Sequence, residues 1–335
     1  MAGNFWSRPD STRRWRVEAV QYRTAPDVEV LVHSQYPQTE PRGEIVLVHG
    51  LEGSSAAGYA RSMVYAALKA GFATHRMNLR SCGGTESLAL SNYHSGQTSD
   101  VLHVLRQRKA ATGLPLFLAG FSLGGNLSLK LAGELGESGR ELLAGVCSVS
   151  APIDLAACAR SLGEPRNFIY RRRFLGCLKD KIRRRCRQAP DIYSAEYLDQ
   201  VRTIYDFDDF YTARMFDFGT ADNYYRTQSA NQFLESISVP ALLITAKDDP
   251  LVPFATYDHP AFRTNPNLRL IAVDHGGPLG FIARRRPRFW LDGVTLEWMD
   301  GVVAEQDAES PKPAHVSSSI DREGEQISPT SRILK

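Results

Sequence analysis

The 335-residue chain has few cysteines, no long apolar run and little net charge. Its five cysteines are odd in number, and their spacings suit neither a zinc site nor a redox pair. No run of about 18 apolar residues is present, so we expect no membrane-spanning helix. The net charge of +3 is too small to indicate nucleic acid as the main partner.

The two ends of the chain are polar. The chain opens without the basic, apolar and small-residue segments typical of a signal peptide, so we expect a cytoplasmic protein with reduced thiols. We expect residues 1–12 to be flexible and residues 306–335, which are rich in Ser, Pro, Glu and Lys, to form a disordered tail. Residues 13–305 then form one folded domain.

Short apolar runs alternate with helical patterns between these ends. The runs lie at residues 17–22, 28–33, 45–48, 73–78, 114–119, 143–149, 241–245 and 268–273. Continuous apolar runs of this length favour the parallel strands of a sheet that helices cover on both faces. We therefore predict an α/β fold with about eight mostly parallel strands, of which the first two form an antiparallel hairpin around Pro26.

The alternation of strands and helices stops between residues 152 and 238, which separate the sixth and seventh predicted strands. This segment is charged, aromatic and helix-like. Open α/β sheets place their sites at the carboxyl ends of their strands. We therefore expect a helical insertion, or lid, over that edge of the sheet.

The clearest local motif is a serine between glycines at residues 120–125, Gly-Phe-Ser-Leu-Gly-Gly. It follows the apolar run 114–119 and precedes a predicted helix at 126–134. A G-x-S-x-G sequence between a strand and a helix forms a sharp turn that exposes the serine hydroxyl. We therefore predict Ser122 as a nucleophile. The alternative interpretation is a tight glycine turn with an incidental serine.

A serine nucleophile needs a base, and after such a turn the acid and then the histidine follow in the chain. Of the three histidines beyond Ser122, His315 lies in the predicted tail and His259 precedes a predicted helix. His275 follows the last predicted strand and precedes two glycines. We predict His275 as the base, against the alternative that it is structural or simply exposed.

The acid is expected after the strand at 241–245, where two aspartates are adjacent. Asp249 precedes Pro253 by four residues, a spacing typical of the acid in such sites. We favour Asp249 over Asp248, which would then face away or cap the following turn. The acid holds the tautomer of the imidazole and stabilises the imidazolium without taking the proton itself.

The run at 45–48 leads into a His-Gly loop at residues 49–55. Such a loop supplies one amide of an oxyanion hole, and the residue after the nucleophile supplies the other. We predict the amides of Leu51 and Leu123 as these donors. His49 precedes Ser122 and so breaks the expected order for the base. We interpret it as structural.

Two further loops at the same edge contain Cys82 and His94. A Cys–His nucleophile pair is a conceivable alternative to the serine site. It lacks any supporting turn of the kind that surrounds Ser122. We therefore interpret both side chains as structural.

Seven segments between residues 49 and 281 together resemble the YheT-like branch of the α/β hydrolases, a group of predicted esterases. They are HGLEGSS at 49–55, NLRSCGG at 78–84, YHSGQTSD at 93–100, GFSLGGN at 120–126, FDDFYTARMFDFGTADNYY at 207–225, AKDDPLVP at 246–253 and DHGGPLGF at 274–281. GFSLGG alone occurs in many hydrolases, whereas the combination is much more specific.

The resemblance implies the α/β-hydrolase fold, a triad of Ser122, Asp249 and His275, and hydrolysis of carboxylic esters. The substrates of relatives include acylglycerols, phospholipids and short acyl esters. The chain departs from the family in two respects. Gly277 is followed by Pro278 where the family has Gly-Gly-His. We also expect the chain to lack the amino-terminal membrane anchor of the animal relatives.

Residues 160–187 contain eleven Lys or Arg, opposed only by Glu164 and Asp180, with apolar residues interleaved. A basic amphipathic helix can lie on an anionic membrane surface. The alternative is a solvated lid whose apolar face packs on the edge of the sheet. No motif for nucleic-acid recognition accompanies the charge, so we expect no nucleic-acid partner.

These predictions describe a serine hydrolase that cleaves small-molecule acyl esters through an acyl-enzyme. The chemistry needs no metal and no cofactor. The same residues also suit an amidase, a thioesterase or an acyltransferase. A catalytically silent binding protein with the same fold is the remaining alternative.

Overall fold

A computed structural model describes residues 8–283 and 288–309. Within these residues lies an eight-stranded sheet in the order β1-β2-β4-β3-β5-β6-β7-β8. The strands are β1 (Glu18–Ala25), β2 (Val28–Gln35), β3 (Gly43–Val48), β4 (Phe72–Met77), β5 (Leu116–Phe121), β6 (Gly145–Val149), β7 (Ala241–Ala246) and β8 (Leu268–Val273). β2 runs antiparallel to both of its neighbours, and the remaining pairings are parallel. The predicted mostly parallel sheet is confirmed.

The helices are α1 (Gly58–Lys69), α2 (Thr98–Thr112), α3 (Leu123–Leu135), α4 (Gly139–Leu142), α5 (Leu155–Gly163), α6 (Phe168–Gln188), α7 (Ile204–Phe207), α8 (Ala213–Met215), α9 (Ala221–Gln228), α10 (Ala261–Thr264) and α11 (Trp290–Glu309). A π-helical turn, Asp208–Thr212, joins α7 to α8. Helices α5 to α9 all lie in the sequence between β6 and β7.

The apolar pattern of β3 shows why the sheet is covered on both faces. Ile45 and Leu47 pack in one core cluster with residues of α1 and α11. Val46 and Val48 pack in a second cluster with residues of α2 and α3. Successive side chains of a strand point to opposite faces, so a strand between two helical layers is buried on both faces and mostly apolar.

Both predicted flexible ends extend into ordered structure. Ser11 is buried in a short 3-10 turn, and its hydroxyl donates to Oε1 of Gln35 at 3.0 Å. The predicted tail boundary at residue 306 falls inside α11, which continues to Glu309. Residues 1–7 and 310–335 lie outside the described residues. In the described ranges, no helix has the length and apolar character to cross a membrane.

The candidate catalytic residues follow the carboxyl ends of four strands. Ser122 directly follows β5, and the 49–55 loop directly follows β3. The two aspartates follow β7, and His275 follows β8. Since these strands are parallel, the topology brings all four segments to one edge of the sheet.

Candidate active site

Ser122 lies in a sharp turn between β5 and α3. Its φ and ψ are 53° and −120°, a conformation that residues other than glycine rarely adopt. Its backbone amide donates to the carbonyl of Val149 on the neighbouring strand at 2.8 Å. Such strain persists only when the surrounding structure imposes it, and it is typical of functional positions.

The turn requires glycine at two positions, because neighbouring backbone atoms occupy the space that a side chain would fill. A Cβ atom on Gly120 would lie 2.1 Å from the carbonyl oxygen of Gly124. A Cβ atom on Gly124 would lie 2.4 Å from the carbonyl oxygen of Val48. The turn therefore packs directly against the carboxyl end of β3, where the predicted oxyanion loop begins.

The loop after β3 passes beside Ser122. A Cβ atom on Gly50 would lie 3.0 Å from Cβ of Ser122. The amide of Gly50 donates to the hydroxyl of Tyr59 at 3.0 Å, and the amide of Glu52 donates to the hydroxyl of Tyr93 at 2.9 Å. The two tyrosines thus fix the backbone on both sides of Leu51.

The second predicted oxyanion donor, Leu123, is the first residue of α3. The first amides of a helix have no acceptor within the helix, and they carry the positive end of its dipole. A negative charge that develops beside Ser122 is favoured at this position. The geometry is compatible with the predicted pair of amides, whose role stays a prediction.

His49 is held as a neutral imidazole beneath the oxyanion loop. Its Nδ1 donates to the carbonyl of Gly50 at 2.8 Å, and its Nε2 accepts from the amide of Leu79 at 3.1 Å. Burial lowers the pKa of His49 to about 4. Both ring nitrogens are occupied by backbone, which agrees with its interpretation as a structural residue.

Cys82 and His94 do not form a reactive pair. Burial raises the pKa of the Cys82 thiol to about 11 and lowers the pKa of His94 to about 3. Nδ1 of His94 accepts from the amide of Gly96 at 3.2 Å. A neutral thiol and a neutral imidazole lack the thiolate that nucleophilic cysteine chemistry requires.

The two adjacent aspartates have different surroundings. Oδ1 of Asp249 accepts from the amides of Leu251 and Val252 at 2.8 and 3.3 Å. Its Oδ2 is buried and has no hydrogen-bond partner in the described part of the chain. Burial raises the pKa of Asp249 to about 6. A buried carboxylate oxygen without a donor is costly, so its position requires an explanation.

Asp248 is the aspartate that contacts the histidine loop in this structure. Its Oδ1 accepts from the amides of Gly276 and Gly277, both at 2.8 Å. Its Oδ2 lies 3.3 Å from Nδ1 of His275. Hydrogen bonds from this loop lower the pKa of Asp248, and the one from the amide of Gly277 has the largest effect.

His275 therefore faces Asp248 rather than Asp249. Its side chain is 89% exposed. Among the described residues that line the cavity at Ser122, His275 does not occur. The structure brings Ser122 and the oxyanion loop together, and it leaves His275 outside this group. The triad of Ser122, Asp249 and His275 stays a prediction.

Ser122 opens into a cavity beneath helices α5 to α8. The lining is mainly apolar and aromatic and includes Leu51, Leu123, Leu155, Leu162, Phe174, Leu178, Ile182, Ile204, Phe207, Tyr211, Met215, Phe216, Leu251 and Val252. Many of these side chains come from the segment between β6 and β7. An apolar cavity beside the nucleophile suits the acyl chain of an ester.

Three charged residues in this lining were not singled out from the sequence. Nζ of Lys181, on α6, lies 2.6 Å from Oε1 of Glu52, and both side chains are less than a tenth exposed. The hydroxyl of Tyr93 also donates to Oε1 of Glu52, at 2.9 Å. The third is Asp208, in the π-helical turn. Asp208 lies in the segment 207–225 that carries part of the family resemblance, but nothing in that segment singled out this carboxylate.

Comparisons with known proteins place the chain among hydrolases. A model of the alpha/beta hydrolase fold family matches residues 44–284. The YheT protein of Escherichia coli (strain K12), a predicted esterase, is 34% identical over 276 residues, which are 80% of each chain. The phospholipase ABHD3 of Mus musculus is 28% identical over 272 residues, covering 80% of this chain and 66% of the relative.

A solved structure shares the architecture. The Pyrococcus furiosus esterase Pf2001 superposes with a TM-score of 0.58 at 14% identity, covering 88% of this chain and 99% of that chain. At this identity the likeness concerns the fold alone.

The sheet order and the strained serine turn are those of an α/β hydrolase. The family match and the relatives lead to the same class. The chain belongs to the α/β-hydrolase family, in its YheT-like branch. It is a carboxylic ester hydrolase, as its esterase and phospholipase relatives indicate.

Proposed function

We propose that the chain hydrolyses acyl esters through an acyl-enzyme on Ser122, with His275 as the base and Asp249 as the acid. The observation that carries the proposal is the strained Ser122 turn, which packs against Gly50 at the wall of an apolar cavity. Ser122 is half-buried and lines the cavity, beside two candidate oxyanion amides and next to space for an acyl chain.

The unpaired Oδ2 of Asp249 favours Asp249 over Asp248 as the acid that orients His275. An imidazole N–H is the kind of donor that this buried oxygen lacks. β7 and β8 are paired up to Ala246 and Val273, so the histidine loop leaves the sheet beside the aspartates. A Cβ atom on Gly276 would lie 2.9 Å from Cβ of Ala246, which places the loop against the end of β7.

The proposal requires the imidazole of His275 to turn from Asp248 to Asp249. The loop that follows it contains Leu279 and Phe281 at positive φ values of 60° and 40°. Bulky residues are strained in this region of conformational space. A rearrangement of the loop relieves this strain and gives Asp249 its missing donor.

The reaction then proceeds in two acyl-transfer steps. Oγ of Ser122 attacks the ester carbonyl carbon while Nε2 of His275 takes the hydroxyl proton. The amides of Leu51 and Leu123 stabilise the oxyanion. The imidazolium protonates the leaving alcohol, and water repeats the sequence on the acyl-enzyme to release the acid. Neither a metal nor a cofactor takes part.

The substrate class is an ester with an apolar acyl chain. The lining of the cavity supports this choice, and the name of the mouse relative describes it as a phospholipase. An amide or thioester substrate remains the competing possibility for the same residues. Acyl transfer to an alcohol requires that water be excluded from the acyl-enzyme.

A panel of p-nitrophenyl esters of rising chain length, beside matched amides and thioesters, tests the proposal. We expect the esters to be cleaved fastest and Ser122→Ala to lose about 10⁴-fold or more in kcat. Ser138→Ala, which removes an exposed serine hydroxyl, is the matched control. Activity that survives Ser122→Ala, or a preference for amides, contradicts the proposal. No activity toward any substrate favours the silent binding protein.

We also propose that residues 152–238 form a lid that contacts anionic membranes through α6. The inner side of α6 lines the cavity, and Lys181 and Arg185 are buried beneath it. Its outer side exposes Arg172, Arg173, Arg183, Arg184 and Arg187. Phe168 and Ile169, at its amino-terminal end, are 51% and 60% exposed. Basic and apolar groups together suit an anionic bilayer surface.

Sedimentation with vesicles tests this contact. We expect binding to phosphatidylcholine vesicles that contain phosphatidylserine and little binding to phosphatidylcholine alone. The double variant Arg172→Glu/Arg173→Glu should bind the anionic vesicles at least about tenfold more weakly, since each cation contributes about 1 kcal/mol. Arg13→Glu/Arg14→Glu reverses two exposed charges elsewhere. An equal loss in both variants, or equal binding to neutral vesicles, overturns the proposal.

A further inference from the structure

The cavity that contains Ser122 also contains a carboxylate that the proposed mechanism does not use. Asp208 begins the π-helical turn between α7 and α8 and lines the cavity. Its Oδ2 accepts from the hydroxyl of Tyr225 at 2.6 Å, and its Oδ1 accepts from the hydroxyl of Thr212 at 2.7 Å. Irregular π-helical turns of this kind are frequent at functional sites.

The charge of Asp208 is not balanced by a neighbouring cation. In residues 8–283 and 288–309 its polar contacts are the two hydroxyls, and none of the ion pairs includes it. Lys181, the cation in the same lining, is paired with Glu52 at 2.6 Å. His94 is neutral because burial lowers its pKa to about 3. Burial raises the pKa of Asp208 to about 6, so at pH 7 and above the lining carries a carboxylate charge that no cation among the described residues compensates.

Protein interiors rarely leave a charge in this state. Buried carboxylates are normally paired with a cation or neutralised by a proton, because removing a charge from water is costly. Asp208 keeps contact with the cavity, so a ligand can supply the missing partner. A cationic group on the ligand compensates the charge without disturbing the two hydroxyl contacts, because a carboxylate accepts more than two hydrogen bonds.

Aromatic rings line the same cavity. The rings in the lining are those of Phe207, Tyr211, Phe216, Tyr224 and Tyr225. The face of an aromatic ring attracts a cation, and rings combined with a carboxylate suit a bulky ammonium group. A wall of aliphatic side chains would favour an apolar group instead.

We propose that Asp208 and these rings form a subsite for an alkylammonium group on the substrate. This subsite rests on the proposed function, because the ester must reach Ser122 from the same cavity. Esters that carry a quaternary ammonium then bind with the cation at Asp208 and the ester carbonyl at Ser122. The competing explanation is that Asp208 only connects the π-helical turn to α9 through Tyr225.

Two isosteric esters test the subsite. Butyrylcholine carries a quaternary ammonium, and 3,3-dimethylbutyl butyrate has the same shape without the charge. We expect the wild type to prefer butyrylcholine about tenfold or more in kcat/KM, and Asp208→Asn to bring the ratio close to one. Asp222→Asn removes an exposed carboxylate of the same segment and should keep the wild-type ratio.

The outcomes separate the two explanations. A wild-type ratio near one, a preference for the neutral ester, or an equal change of the ratio in Asp222→Asn overturns the subsite. If Asp208→Asn lowers the rates for both esters equally and keeps the ratio, Asp208 has only a structural role. If Asp208→Asn does not fold, the ratio of kcat/KM values for the two esters in the wild type decides between the explanations. Tyr225→Phe should then retain the preference for butyrylcholine, because it keeps both the carboxylate and the ring.

A binding measurement distinguishes failure of the subsite from failure of the proposed function. Calorimetry with Ser122→Ala should show binding of butyrylcholine at least about tenfold tighter than binding of the neutral ester. Adding Asp208→Asn should remove this difference. Charge-dependent binding without hydrolysis by the wild type leaves the subsite intact and rejects the catalytic proposal. Hydrolysis by the wild type with equal binding of the two esters rejects the subsite and leaves the catalytic proposal intact.

Discussion

Asp249 illustrates at the scale of a single residue how a reactive group can lower stability. Burial raises its pKa from 3.8 to about 6, so the folded state binds a proton more tightly than the unfolded chain does. The folded state is therefore penalised above pH 6, where Asp249 must be ionised. This penalty disappears as the pH falls from about 6 to about 4.

Asp249→Asn should remove the penalty. We expect the variant to gain about 1–3 kcal/mol in its free energy of unfolding at pH 7.5, because one pKa unit corresponds to 1.36 kcal/mol. The gain should vanish by about pH 4. Urea unfolding across this range provides the measurement. Asp248→Asn should lose stability at pH 7.5, since the loop amides lower the pKa of Asp248. A loss of stability in Asp249→Asn at pH 7.5 contradicts the account.

The same pair of variants separates the two candidates for the acid. We expect Asp249→Asn to lower kcat by about 10³–10⁴-fold, because an asparagine favours the wrong tautomer of the imidazole. Asp248→Asn should lower kcat much less, since its contacts hold only the resting position of the loop. Steady-state rates on the best p-nitrophenyl ester give the comparison. A larger loss of kcat in Asp248→Asn than in Asp249→Asn would assign the role of the acid to Asp248 instead.

At the scale of secondary-structure elements, one ion pair connects α6 to the oxyanion loop. Lys181 reaches Glu52, the residue after Leu51, in a place where both side chains are almost fully buried. Glu52 has a positive φ of 52°, so its backbone is strained as well. The helix that lines the cavity therefore also holds the strand–loop connection that presents the Leu51 amide.

Lys181→Ala should weaken both stability and catalysis. Removing one partner of a buried ion pair leaves the other charge unpaired and typically costs about 3–5 kcal/mol. We expect kcat to fall more than KM rises, because the oxyanion loop loses its anchor. Thermal unfolding and steady-state kinetics measure the two effects. Arg184→Ala, which removes an exposed cation from the same helix, should change neither, and an equal effect there would reject the role of the ion pair.

At the scale of the whole molecule, the sheet could be predicted because its physical cause is local. β3 and β7 are buried at every position and mostly apolar, since helices pack on both faces, and this pattern is visible in the sequence. The serine turn could be predicted as well, because it requires glycine at positions 120 and 124, where no side chain fits. Both glycines can be seen in the sequence. The edge that carries the site then follows from parallel pairing, whereas the strand order was not predicted.

The remaining features depend on contacts between distant segments. The contact of His275 with Asp248 is set by the torsions of a short loop, which no periodic pattern records. Asp208 and Lys181 reach the cavity only because several short helices between β6 and β7 pack together. Charge and aromatic content predicted a helical segment there, but they did not indicate which side chains face inward.

Mass spectrometry of protein treated with a fluorophosphonate probe tests the central claim most directly. We expect one adduct, located on Ser122, and none in Ser122→Ala. His275→Ala should slow labelling by about 10³-fold or more, because the hydroxyl then lacks its base, whereas His259→Ala should label at the wild-type rate. An adduct on another residue, or labelling of Ser122 at the full rate without His275, contradicts the proposed convergence of these side chains.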